Sequence, residues 1–147
     1  MIEKKRKKLI ISSCQLELII DYCQKQYPLE ACGLLSGKEE KTDKIYYITN
    51  TEASSTNYLM DPDEQLQALE EIRAENKELL AIFHSHPQSD PVPSPRDIRL
   101  AYYPQALYLI ISLKKARPQR ALFSIVKGSY HQEKLIIIET ASEKRRE

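Results

Sequence analysis

Residues 84 to 97, HSHPQSDPVPSPRD, gather the side chains with the most chemical capacity in this chain. His84 and His86 stand one residue apart at the end of the apolar run LLAIF. In a strand, side chains alternate, so the two imidazoles share a face about 6.5–7 Å apart along the backbone. At that separation they can converge on one ion at Zn–N distances of about 2.0–2.1 Å. Ser85 points the other way, into the packing. Asp97 offers a third, carboxylate ligand. Two histidines and one carboxylate leave one tetrahedral position for a bound water, the pattern of a catalytic zinc. Structural zinc sites are usually closed by four protein ligands, often thiolates.

The same segment has a plainer reading. Ser94-Pro95-Arg96-Asp97 is a capping box with proline at the first helical position, which predicts a short helix beginning at Ser94. The two readings are compatible, because such a helix start fixes where the Asp97 carboxylate points. The intervening loop holds Pro87, Pro91, Pro93 and Pro95, half of the chain's 8 prolines. Each proline fixes φ and lowers the entropy lost on ordering. That stiffness suits a loop that presents a ligand at a set distance.

Hydrolysis at such a centre also needs a base that is not a ligand. In YPLEACGLLSG, Glu30 lies between the break at Pro28 and an apolar strand. Taken alone it reads as a surface glutamate; beside a metal site it is the candidate base.

The elements that must hold these residues are mixed α and β. A strand at 9–12 leads into a helix capped by Ser12 and Gln15. Leu16, Ile19, Ile20, Cys23 and Tyr27 form its apolar face, ending before Pro28. ACGLLSG and KIYYITN read as strands joined by the loop KEEKTD. A second helix opens at Asp61-Pro62 with Glu64 completing the box and Leu66, Leu69 and Ile72 as its buried stripe. After LLAIF come the strands ALYLIISL, ALFSIV and YHQEKLIIIE, the last two joined by a Gly128-Ser129 turn. The fold class is therefore α/β (α+β), a mixed sheet with packed helices.

At 147 residues the chain is one domain's length, with 41% hydrophobic and 29% charged residues. We take 1–147 as a single domain, with a basic tail at 1–8 and a frayed end at 141–147. No apolar run approaches the roughly 20 residues of a membrane span. LIISSCQLELIID is broken too early by polar residues for a secretory signal. Cys14, Cys23 and Cys32 form an odd set without a CxxC pair, which predicts a reducing compartment, the cytoplasm. A net charge of +1 gives no global field for nucleic acid. The run KKRKK at 4–8 reads as a solvated tail, with a nucleic-acid arm as its alternative.

Glu30, then His84-Ser-His86-Pro, then Ser94-x-x-Asp97 resembles the JAMM, or MPN-plus, metalloprotease signature: a distant glutamate and H-x-H-x7-S-x-x-D. The flanking P-x-E-x-C-G-L-L, the DP before the middle helix and YLIISL are similar to the family too. The resemblance implies a central mixed sheet with helices on both sides, related to the cytidine deaminases. It implies one catalytic Zn2+ held by His84, His86 and Asp97. Glu30 would be general base and later proton donor to the leaving amine, and the Ser94 hydroxyl would bind the oxyanion. The compact chain, with 50 residues after Asp97 (147 − 97), looks like stand-alone prokaryotic members. These act on ubiquitin-like sulfur-carrier proteins after a C-terminal Gly-Gly. The implied partner is such a carrier, with no membrane; the oligomeric state, homodimer included, stays open.

Four other readings compete. A cysteine hydrolase would use Cys32, two residues from Glu30, but leaves the H-x-H-x7-S-x-x-D spacing unexplained. A non-catalytic MPN scaffold conflicts with the presence of every ligand. A DNA-repair-associated JAMM-like role rests on a related family that shares the H-x-H and aspartate core, with KKRKK as its only independent support. A deaminase would need H-x-E and P-C-x-x-C, which are absent. His131 belongs to no motif; Tyr102 and Tyr103 read as packing or as the rim of a groove.

Overall fold

The computed structural model describes residues 6–140. Seven strands and three helices follow in the order β1 (Lys8–Ser12), α1 (Ser13–Gln26), β2 (Cys32–Lys38), β3 (Lys41–Ile48), α2 (Pro62–Ala74), β4 (Glu78–His86), α3 (Pro95–Arg99), β5 (Leu107–Ser112), β6 (Gln119–Val126) and β7 (Ser129–Ile138). The sheet runs β1-β3-β2-β4-β5-β6-β7 and closes where β7 pairs with β1 in parallel. β4 and β5 are also parallel, while β2 is antiparallel to both β3 and β4. The expected mixed sheet is present; its closure is an addition that no strand pattern predicted.

Alternation along the strands makes two cores. Leu9, Ile11, Leu35, Phe83, Leu109 and Leu122 pack on one face with Leu16, Ile19 and Cys23 of α1. Leu34, Ile82, Ile110 and Phe123 line the other, against Ala68 of α2, with Leu69 and Ile98 of α3 partly buried there. Helices thus cover both faces. Gly33 sits where an added Cβ would meet the Phe83 ring and the Tyr46 carbonyl, so this close approach requires glycine.

Ser12 and Gln15 form the predicted box, each accepting the other's backbone N–H at 3.0 Å. Tyr27, placed on the apolar face by periodicity, is half exposed because the helix has ended. In α2, Leu66 is exposed and Ala68 takes its place in the core. Asp61 caps this helix by accepting from Asp63 and Glu64 N–H, but Glu64 bonds Thr49 N–H instead of closing the box. The helix is thereby tied to β3.

Two turns differ from the reading. KEEKTD is not a loop: Lys38 pairs with Lys41, and only Glu39 and Glu40 turn, at φ 51° and 68°. Ladder pairing overrides the low strand preference of charged residues whose side chains reach solvent. The last hairpin turns at Lys127-Gly128, φ 52° and 80°, with Val126 paired to Ser129. A turn with positive φ at both central residues favours glycine second, which shifts it one residue back.

Arg6 corrects the solvated-tail reading. It is buried, donating to the Gln105 carbonyl and pairing with Glu78 Oε1 at 2.5 Å. Lys8 already belongs to β1. Lys4 and Lys5 of the basic run, and the closing SEKRRE, lie outside the described residues. Among the described residues no helix is long and apolar enough to cross a membrane.

Candidate metal centre

β4 lies between β2 and β5 and ends in His86. Ile82, His84 and His86 alternate onto the α2 face, and Ser85 onto the α1 face, where it is fully buried. Its hydroxyl accepts from Ala31 N–H at 2.8 Å, and its own N–H donates to the Ala31 carbonyl at 3.0 Å. This exchange carries the Cys32–His84 register of β2 and β4 one step further. Glu30, the next residue back, lies close enough for His86 and Asp97 to act on its carboxyl.

The proline loop is pinned in its middle, at the adjacent carbonyls of Ser89 and Asp90. His86 Nδ1 meets the Asp90 carbonyl at 2.8 Å, and Ser112 Oγ donates to the Ser89 carbonyl at 2.6 Å. The loop delivers Ser94 as the N-cap of α3. Ser94 Oγ accepts from Asp97 N–H at 3.0 Å and Asp97 Oδ2 accepts from Ser94 N–H at 2.9 Å, the complete box.

That same Oδ2 lies 3.1 Å from His84 Nε2 and 3.0 Å from His86 Nε2, and the two Nε2 atoms are 3.1 Å apart. The three atoms form a nearly equilateral triangle. Donors at zinc-like bond lengths on a tetrahedron would lie about 3.3–3.4 Å apart, so a cation fits with a small opening of the triangle. His86 Nδ1 needs its proton for the Asp90 carbonyl, which leaves Nε2 with a free lone pair. Burial holds the His84 imidazole towards its neutral form, the form that ligates. For Asp97, burial opposes ionisation, but the nearness of the His84 and His86 rings and the bond from Ser94 N–H outweigh it; its carboxyl stays well below the usual range. The group can hold a metal ion.

Glu30 is only 4% exposed, and its Oε1 has no hydrogen-bond partner among the described residues. Burial pushes its carboxyl up to about 8, against the pull of His86. The surface-glutamate reading is thus wrong. Its backbone is fixed on both sides: its N–H donates to the Ser54 carbonyl at 2.8 Å, and its carbonyl accepts from Asn50 Nδ2 at 3.0 Å.

Four of the site's supports carried no sequence signal. Tyr58 stacks on His84 at 4.6 Å, and Asn50 organises the 50–59 loop, also accepting from Leu59 N–H at 3.0 Å. The Asp90 carbonyl and the Arg96–Glu52 pair are the others. None belongs to a periodic pattern, so only the folded chain reveals them. Cys32 lies on the site's face but is fully buried, donates towards the Ile48 carbonyl, and is pushed up to about 12 by burial. It is no thiolate nucleophile. Tyr102 is 71% exposed, while Tyr103 packs on the core and accepts from Gln65. His131 is an exposed residue of β7.

A buried imidazole pair and carboxylate, with a second buried acid nearby, is a centre of the kind used by metal-dependent hydrolases. A family profile described as prokaryotic homologs of the JAB domain matches residues 14–125, and the chain belongs to that family. Over 86 residues it is 41% identical to the desampylase of Pyrococcus furiosus, covering 58% of this chain and 61% of that protein. The CysO-cysteine peptidase of Mycobacterium tuberculosis is 29% identical over 134 residues, 89% of this chain and 92% of the relative. The chain therefore spans less than two thirds of the first relative and nearly all of the second. A solution structure of a Desulfitobacterium hafniense protein matches with a TM-score of 0.80 at 34% identity, over 92% of this chain and 96% of that one.

Proposed function

We propose that the protein is a zinc metallopeptidase that hydrolyses the amide bond after the C-terminal Gly-Gly of a ubiquitin-like or sulfur-carrier protein. The observation that carries this reading is the His84–His86–Asp97 triangle, 3.0–3.1 Å on each side, with the buried Glu30 carboxyl near enough to feel the charges of His86 and Asp97. The names of the desampylase and the CysO-cysteine peptidase support the substrate class. We assign His84, His86 and Asp97 as metal ligands, and Glu30 and Ser94 as catalytic residues.

Two imidazoles and a carboxylate without a thiolate suit zinc. When bound, zinc supplies Lewis acidity towards a carbonyl and brings the pKa of water towards about 7. Glu30 takes a proton from the attacking water and returns it to the leaving nitrogen as the C–N bond breaks. Ser94 Oγ accepts from Asp97 N–H, so its own proton is free to bind the carbonyl oxygen as charge builds there. The glycines bring no side chain to clash with Tyr58 or the stiff 87–93 loop. We take residues 1–147 as one domain, and the free cysteines support a cytoplasmic reading.

The test is incubation of zinc-loaded protein with Gly-Gly-tailed carriers bearing C-terminal extensions, read by intact mass. Loss of the extension at the second glycine is expected. Intact substrates under zinc saturation would overturn the assignment.

A further inference from the structure

Arg96 is the charged group of this region that the mechanism leaves unused. It stands in the first turn of α3, between Ser94 and Asp97. Its Nη2 pairs with Glu52 Oε1 at 2.5 Å. Glu52 belongs to the loop whose Asn50 side chain and Ser54 carbonyl hold the backbone of Glu30 from both sides. The ion pair therefore bridges the gap between the candidate base and the helix that carries the oxyanion donor. Arg96 is close enough for its charge to act on Glu30.

A guanidinium has five N–H donors in a rigid fork matched to a carboxylate. Glu52 takes one of them, and Nε is buried without a hydrogen-bond partner. The side chain keeps 35% of its surface exposed, so a ligand can reach it. Nε is out of a ligand's reach, so the donors available to one are those of the Nη groups at the exposed part of the side chain.

The leaving group supplies the complement. After Glu30 protonates the released nitrogen, an amino acid carries an amine and, one carbon away, a carboxylate. A lysine side chain released from an isopeptide has no carboxylate at that distance. We infer that Arg96 is a specificity residue, binding the α-carboxylate of a single amino acid attached to the carrier's Gly-Gly while Glu30 faces its nitrogen. Glu52 holds the fork in place and competes with that carboxylate. This rests on the peptidase reading above and narrows it to removal of one terminal residue.

The experiment compares two carriers ending in Gly-Gly-Cys, one with a free C-terminal carboxylate and one with a C-terminal amide, on zinc-loaded full-length protein. The readout is the ratio of kcat/KM, acid over amide. Wild type should favour the acid, and Arg96→Gln should lower the ratio roughly tenfold or more, the worth of a charged hydrogen bond. Glu52→Gln breaks the same ion pair yet should keep or raise the ratio, mainly through KM. If both variants lower both substrates alike, with the ratio fixed, Arg96 only positions the loop and this inference falls while the peptidase stands. Turnover of neither substrate by wild type overturns both.

Discussion

Ser94 and Asp97 are joined twice, hydroxyl to N–H at 3.0 Å and carboxylate to N–H at 2.9 Å, and the carboxylate oxygen in that exchange is the one facing both histidines. Helix cap and proposed metal ligand are thus one atom. The bond that aims Oδ2 comes from the Ser94 backbone, whereas the hydroxyl is the part available to a substrate.

Ser94→Ala therefore separates the two roles. The backbone donor remains, so zinc stoichiometry by elemental analysis should match wild type. Loss of the cap should cost about 1 kcal/mol of stability in denaturant melts. Loss of the hydroxyl should lower kcat by about 100- to 1,000-fold. Wild-type turnover would remove Ser94 from the oxyanion role.

Asp97→Ala should lose the metal. Binding to the native state alone stabilises it by about 4 kcal/mol when free ligand is about 1,000 times Kd. Chelation should lower the melting temperature of wild type by several degrees and leave Asp97→Ala unmoved. Chelators should also abolish turnover, while iodoacetamide should spare it, since Cys32 is fully buried and held protonated. Inactivation that tracks Cys32 alkylation would restore the thiol mechanism.

Glu30 makes a pH prediction for the metal-free protein. Its carboxyl, ordinarily near 4.5, is raised to about 8 by burial. Between those values the native state holds a proton that the unfolded chain has released. Stability contributed by this group is complete below about 4.5, falls as pH rises towards 8 and levels off beyond. Glu30→Gln should flatten that decline in urea melts at pH 5, 6.5 and 8, and should be zinc-loaded but inactive. Parallel stability profiles for the two proteins would contradict the burial argument; zinc loss in the variant would make Glu30 a ligand.

Ser85→Ala should act at a distance. It strips the acceptor from the buried Ala31 N–H, a loss of about 1–3 kcal/mol, and loosens the backbone that carries the neighbouring Glu30. Stability and kcat should fall together with zinc content kept, and Ser85→Thr should recover part of both. An unaltered kcat would show that Glu30 is positioned by the Ser54 and Asn50 bonds alone.

The convergence of His84, His86 and Asp97 was legible from 84 to 97 because strand alternation and a helix cap are local rules, and both survive folding unchanged. The apolar faces of α1 and most strands followed from periodicity for the same reason. Leu66 and Tyr27 misled because periodicity marks a face without saying where its neighbour stops. The first hairpin tightened because pairing energy, shared between strands, overrode local preference; the second slipped by one residue because a turn with positive φ at both central positions favours glycine second. Sequence spacing alone determined which residues could bind a cation and in what order they meet the chain. The burial of Glu30, the stacking of Tyr58 on His84 and the Arg96–Glu52 bridge were decided only by tertiary structure. Each joins segments remote in the chain, and the dielectric and contacts that give those side chains their chemistry exist only once the sheet has closed around them.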